Sequence, residues 1–258
     1  MKEFWPDFSP LAVDGKKLES IREGKREFLK TQDGMKYEIR KGIVSFLGQE
    51  ELTGNNKIFQ KFYDQFALFY DAVTRFFSVI RGGGGVKKRL MQYLEKLNIP
   101  DGSRVIEISI GTGRNLRYLN PSASYYGVDI SAGMLKRCRK TMKKLRRNIV
   151  LIQAEAENLP LKDESFDVVF SAGGFNFFND KRKAVEEMLR IARKGSRIMI
   201  SDETAKIQEE FRKSPGAGKF YTQEEIKNPV EFLPEYCQSV EYKEICNHEL
   251  YVLAFVKP

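Results

Sequence analysis

Four short stretches of this 258-residue chain carry the residue types that hold a nucleoside. The first is Glu107-Ile108-Ser109-Ile110-Gly111-Thr112-Gly113-Arg114-Asn115, in which Gly111 and Gly113 let the backbone approach a ligand without a Cβ clash. A lone G-x-G is shared by several nucleotide folds. Leu116 stands where the third glycine of G-x-G-x-x-G would be, and Glu107 puts an acid inside the preceding strand, so an NAD-dependent oxidoreductase is disfavoured. The second stretch is Gly127-Val128-Asp129-Ile130-Ser131, whose acid can accept both ribose hydroxyls of an adenosine. Helix-dipole stabilisation would also explain Asp129, but Ser131 already supplies that helix with its cap. The third, Ala154 to Pro160, offers Glu155 as an acceptor for an adenine amino group. The fourth, Ser171-Ala172-Gly173-Gly174-Phe175-Asn176, again admits a ligand close to the backbone.

An alternation of strands and helices must position these stretches. Strands are expected at Arg104–Ser109, Tyr125–Val128, Val150–Gln153, Phe166–Ser171 and Arg197–Ser201, with helices starting at Asn115–Leu119 and covering Ser131–Arg146 and Lys181–Arg193. That spacing specifies right-handed βαβ units around a parallel sheet. Val240–Cys246 and Glu249–Val256 are separated by a short turn at Asn247-His248, so the last strand is expected to run antiparallel. Upstream, Phe62, Phe66, Phe69, Tyr70, Val73 and Phe77 recur every three or four residues, as on a helix. The Gly82–Gly85 run interrupts that pattern before a second helix, Val86–Leu97. In residues 1–57, Tyr37, Ile39, Ile43, Val44 and Phe46 suggest a short β element too small to bury much core alone.

Composition narrows the partners. The net charge is +9, which suits an anionic partner or simply a soluble surface. Cys138, Cys237 and Cys246 form no CxxC pair, so neither a disulfide scaffold nor a cysteine zinc site is indicated, and a reducing, cytoplasmic setting is expected. Pro6 and Asp7 break the N-terminus, which does not read as a signal peptide, and no apolar run is long enough for a membrane span. No carboxylate/histidine cluster suggests a metal.

Taken together, RVIEISIGTGRN, YYGVDISAGML, the run from IVLIQAEAENLPL to SAGGFNFFND, and IARKGSRIMISDE resemble the class I S-adenosylmethionine-dependent methyltransferases. Within that class the chain is similar to the group of ubiquinone/menaquinone-biosynthesis and phospholipid N-methyltransferases. The resemblance implies a Rossmann-like α/β fold over 58–258, with a seven-stranded, mostly parallel sheet and an antiparallel last strand. It implies S-adenosyl-L-methionine as cofactor, its methionine part cradled by Glu107, Ser109, Gly111 and Gly113, with Glu107 reaching the amino group. Asp129 would take the ribose, Ile130 would pack on adenine, Glu155 and the Ala156 backbone would meet the adenine amino group, and Ser171 would lie near the sulfonium. Tyr63-Asp64 and Tyr70-Asp71 resemble the helix that such enzymes fold over the methionine end. Two positions depart from the pattern: Ser109 stands where the family has Gly, and Glu155 where it has Asp. A Cβ at 109 crowds the loop, and the longer Glu155 must fold back.

The N-terminal GMKYEIRKGIVSFL is similar to small zinc-ribbon domains placed ahead of some methyltransferases. Lys30, Asp33, Leu11 and Asp14 occupy the positions of their cysteines, so residues 1–57 are expected to be a degenerate, metal-free domain.

Methyl transfer from a sulfonium needs no acid at the leaving group and a base only where the nucleophile is protonated. Candidates for that base are Tyr63, Tyr70, Asp202, Glu203 and the single histidine, His248, although a lone hairpin histidine is more often just solvated. Phe175, Phe177 and Phe178 suit a small-molecule, quinone-like or lipid-like acceptor, and equally suit ordinary core. The basic helix 134–147 suits RNA, a protein or an anionic membrane surface, though a solvated helix face is the simpler reading because no aromatic is interleaved. A binding protein without turnover is the further alternative, motivated by Ser109 and Glu155.

Overall fold

A computed structural model describes residues 7–13, 15–47, 52–67, 85–213 and 226–258. A small hairpin, β1 (Ala12–Val13) and β2 (Lys16–Lys17), precedes four antiparallel strands: β3 (Glu19–Glu23), β4 (Arg26–Lys30), β5 (Lys36–Arg40) and β6 (Ile43–Ser45). Helices α1 (Gly54–Phe66) and α2 (Gly85–Leu94) lead into β7 (Arg104–Ile108), β8 (Ser124–Asp129), α3 (Ala132–Leu145) and β9 (Val150–Gln153). Then follow β10 (Phe166–Ala172), α4 (Lys181–Ile191), β11 (Ala192–Glu203), α5 (Ala205–Lys213), β12 (Gln238–Ile245) and β13 (Leu250–Val256).

The sheet order is β12-β13-β11-β10-β7-β8-β9-β6-β5-β4-β3. Its first seven strands form the expected Rossmann-like sheet. β9, β8, β7, β10 and β11 pair in parallel, and β13 is antiparallel to β11. The N-terminal strands do not form a sheet of their own. β6 pairs in parallel with β9, Ile43 opposite Leu151 and Ser45 opposite Gln153, so β3–β6 extend the same sheet. Buried Leu11, Leu29 and Val44 join the core that α4 covers, together with Ile106, Ile108 and Val169. Val105, Leu135, Cys138 and Val168 belong to the opposite face, under α2 and α3. The two-residue alternation along β7 sends Glu107 to that same second face.

Local signals explain most element ends. Ser131 caps α3, its Oγ accepting from Met134 N at 3.1 Å, and Asp180 caps α4 by accepting from Lys183 N. Each such cap is worth about 1 kcal/mol. The helix expected from Asn115 is instead a single 3-10 turn, Asn115–Tyr118. Arg147 donates to the carbonyls of Leu116 and Leu119, groups a continuing helix would use itself, and Pro121 follows. α4 also stops at Ile191, short of Arg193, and β11 begins at Ala192, which pairs with Phe166 ahead of a register shift. Expected helical residues 68–84, including Phe69, Tyr70, Val73 and Phe77, lie outside the described residues. Among the described residues no helix is long and apolar enough to cross a membrane.

Candidate functional site

A cavity opens at the carboxyl ends of β7, β8, β9 and β10, under α1. Ligands in open α/β sheets bind at this end. Its floor is the end of β7 and its loop, from Ile108 to Thr112, with Arg114 and Asn115; Asp129 ends β8 and Ile130 follows it, and Ala154 and Ala156 follow β9. Gly111 has a φ of +56°, and a Cβ built there meets nothing within 4 Å, so the backbone at this point faces open space.

Ser109 lines the cavity with a φ of +58°, a left-handed conformation that costs a non-glycine residue about 1 kcal/mol. Two contacts hold it there. Its Oγ lies 3.0 Å from Ser171 Oγ, and its Cβ packs into space left by the missing side chain of Gly174. Crowding at 109 is thus relieved across the sheet, on the β10 loop. Ser171 is fully buried and reaches the site through this hydroxyl pair.

Glu107 is 1% exposed and sits behind the loop. Its Oε1 accepts from Asn115 Nδ2 at 2.5 Å, and Asn115 Oδ1 in turn accepts from Tyr93 on α2. Its Oε2 has no hydrogen-bond partner among the described residues, and desolvation raises its pKa to about 8 despite that Asn115 bond and the nearby Arg114. Arg114 lines the cavity with its own Nε buried and unpaired. Glu107 itself does not line the cavity; the Arg114 guanidinium does, and together with the carboxyl group buried behind the loop it suits a zwitterionic amino-acid group.

Asp129 accepts from Gly111 N at 2.7 Å and from Ser131 N at 2.9 Å, so it ties the β7 loop to the start of α3. Burial raises its pKa to about 6, against the pull of those backbone donors. Each of its oxygens keeps a second lone pair for a hydroxyl. Glu155 does not line the cavity; its Oε1 accepts from Asn56 Nδ2 at 2.8 Å. Asn56, on the first turn of α1, lines the cavity in its place.

The sequence reading missed most of what seats α1. Asn179 accepts from Asn56 N and donates to the Thr53 carbonyl, and Glu157 binds Asn56 Nδ2, Asn179 N and Asp180 N. At the other end, Asp64 Oδ1 accepts from Ser131 Oγ at 2.6 Å and from Gly133 N at 2.7 Å. Between these anchors Phe59 and Tyr63 face the cavity, and the Phe59 ring lies 4.3 Å from that of Phe177. Acids and amides spaced along an aromatic-rich helix were the only signal available.

The candidate bases separate clearly. Tyr63 lines the cavity. Asp202 is buried and accepts from Gly174 N, Asn176 N and Glu203 N, so it shapes the β10 loop; burial raises its pKa. The Glu203 carbonyl accepts from Asn176 Nδ2 in the same network. His248 is at the expected hairpin turn, 76% exposed and paired with Glu244, and does not line the cavity. Tyr70 lies outside the described residues. Phe177 and Phe178 line the cavity, while Phe175 is core packed on Phe178 and Phe232.

Residues 106–200 match the family described as a methyltransferase domain. With the sheet order and the cavity above, the chain's αβ core is similar to the class I S-adenosylmethionine-dependent methyltransferase domains. Among curated proteins it is similar to enzymes of ubiquinone and menaquinone biosynthesis. It is 29% identical over 152 residues to the demethylmenaquinone methyltransferase of Paenarthrobacter aurescens, covering 57% of this chain and 58% of that protein. It is 31% identical over 159 residues to the ubiquinone/menaquinone biosynthesis C-methyltransferase of Hahella chejuensis, covering 59% and 62%. The chain thus spans about three fifths of the length of these relatives. The fold is also that of the Haemonchus contortus phosphoethanolamine N-methyltransferase 2 complex with S-adenosylhomocysteine, with a TM-score of 0.64 at 14% identity, over 93% of this chain and 71% of that one. S-adenosyl-L-methionine is the cofactor of the class, and the unpaired Glu107 oxygen, the cavity-lining Arg114 and the open backbone at Gly111 fit it.

Proposed function

We propose that this chain transfers a methyl group from S-adenosyl-L-methionine to a small, quinone-like or lipid-like acceptor. The observation that carries this is one cavity with two kinds of wall. Its floor is charged and glycine-rich, while Phe59, Phe177 and Phe178 close the side beneath α1. An apolar acceptor would be held there in a dry pocket, where positioning is the main source of rate. The relatives named above are quinone-biosynthesis methyltransferases, which supports the acceptor class.

In this reading Glu107 binds the cofactor's amino group, Arg114 its carboxylate and Asp129 its ribose hydroxyls, with Ile130 against the adenine. Ser109, Gly111 and Ala156 line the walls around it, while Gly113 packs against Cys138 of α3 and Ser171 stands behind Ser109. The cofactor, once bound, supplies an electrophilic methyl group. Tyr63, alone among the described sequence candidates in lining the cavity, holds or takes the acceptor's proton. Incubation with labelled cofactor and a demethylated quinone should give a labelled product, and Tyr63→Phe should lower kcat at least tenfold. Cofactor binding without transfer to quinone, phospholipid or RNA acceptors would favour the non-catalytic alternative.

The basic face of α3 supports a second reading. Lys136, Lys140, Lys143, Lys144 and Arg146 are exposed, and no acid lies between Ala132 and Arg147. We infer that this stripe meets an anionic lipid surface, where a lipid-like acceptor would be found. Salt-sensitive binding to phosphatidylglycerol vesicles is expected. Binding to RNA but not to vesicles would instead favour an RNA substrate.

We propose too that the segment 1–57 is a zinc-ribbon relative holding by packing alone. Leu11 is buried, and Asp33 pairs with Lys16 at 2.6 Å. Metal analysis of purified protein should find no stoichiometric zinc. The three cysteines are unpaired, which supports a cytoplasmic setting.

A further inference from the structure

Asn56 is 7% exposed, and its amide is held from one side only. Nδ2 donates to Glu155 Oε1 at 2.8 Å and to Glu157 Oε2 at 3.3 Å. An ionised carboxylate only accepts, so the two acids fix which end of the amide faces them. The amide oxygen is turned the other way and accepts no hydrogen bond among the described residues. Asn56 lines the cavity where Ile130, Ala154 and Ala156 mark the ends of β8 and β9, and Glu155 does not reach it.

We propose that Asn56 Oδ1, not the Glu155 carboxylate, accepts the exocyclic amino group of the cofactor's adenine. Glu155 and Glu157 are then positioning residues that present the amide oxygen. This rests on the cavity being the adenosyl site. It also accounts for the longer acid at 155, since a side chain folded towards α1 needs the length to meet Asn56. The arrangement discriminates against a 6-oxo purine, whose oxygen would face an acceptor with no proton between them. The adenine contact is thereby carried on α1, the element covering the cavity, so α1 must be seated for the base to be read.

Calorimetry on the full chain with S-adenosylhomocysteine and its analogue lacking the 6-amino group tests this. Asn56→Ala should weaken S-adenosylhomocysteine about tenfold and leave the analogue within about twofold, as expected for one lost hydrogen bond. Asn179→Ala, which loosens the same end of α1 without facing the base, should weaken both ligands equally. The proposal is overturned if Asn56→Ala weakens both ligands alike, because Asn56 then only holds the helix. Unchanged or tighter binding of S-adenosylhomocysteine also overturns it, because Glu155 would then be the direct acceptor. Failure of the unsubstituted chain to bind either ligand would sink the adenosyl-site reading itself, and this inference with it.

Discussion

The Ser109 side chain occupies the space in which Gly174 would otherwise carry its own: a Cβ built on Gly174 falls 2.5 Å from both Ser109 Cβ and Oγ. The two positions lie on different loops, after β7 and after β10, and only one of them can bear a side chain. Gly174→Ala should therefore cost about 2 kcal/mol of stability as the loops separate. Ser109→Gly alone should change stability by less than about 1 kcal/mol, because relief of the left-handed conformation offsets the lost hydroxyl pair. The double variant should recover most of the Gly174→Ala loss. Chemical denaturation of the four proteins gives the coupling, and additive effects would refute it.

Glu107 makes stability depend on pH and, in the proposed reading, cofactor binding as well. With its pKa raised from 4.5 to about 8, the folded chain holds a proton that the unfolded chain releases. Its contribution is complete below about pH 4.5 and is lost as pH rises through about 8. Glu107→Gln should flatten the fall in melting temperature between pH 5 and 8. Pairing with an ammonium favours the carboxylate, so cofactor binding at pH 7 should release a proton. Heats measured in buffers of different ionisation enthalpy would detect that proton, and its absence would separate Glu107 from the amino group.

Asp129 carries a structural load and, in the proposed reading, a binding one. Asp129→Ala removes the acceptor of Gly111 N and Ser131 N, so the melting temperature should drop by several degrees. The dissociation constant of S-adenosylhomocysteine should rise more than tenfold at a temperature where the variant is folded. An unchanged constant would displace the ribose from Asp129.

The seating of α1 can be tested without touching the cavity. A Cβ on Gly133 would meet the Asp64 carbonyl oxygen at 2.9 Å and its Cα at 3.0 Å, both backbone atoms with little room to move. Gly133→Ala should push the helix outward, raise amide exchange across 54–66 and speed cofactor release. Native exchange rates in that helix would show that the close approach is not needed.

The sequence made the cofactor floor legible because its determinants are local: glycines after a strand, an acid after the next, a serine cap. Periodicity located the central strands for the same reason. What escaped it depends on pairing across long separations. Glu155 reads from sequence as an adenine ligand, and only the arrival of Asn56 from 99 positions away redirects it. Asp202 looks like a base after a strand until three backbone amides are found on it. The 3-10 turn at Asn115–Tyr118 likewise depends on Arg147, which no helix propensity foretells.

The pairing of β6 with β9 also determines where the sheet stops. Without it, β9 would expose a row of open backbone donors and acceptors beside the cavity, a template on which another chain could add a strand. The extra strands move that vulnerable margin to β3, whose sequence Glu19-Ser20-Ile21-Arg22-Glu23 is charged at three of five positions. Charge of that kind discourages another strand from docking, so the appended strands give that side of the sheet a charged margin.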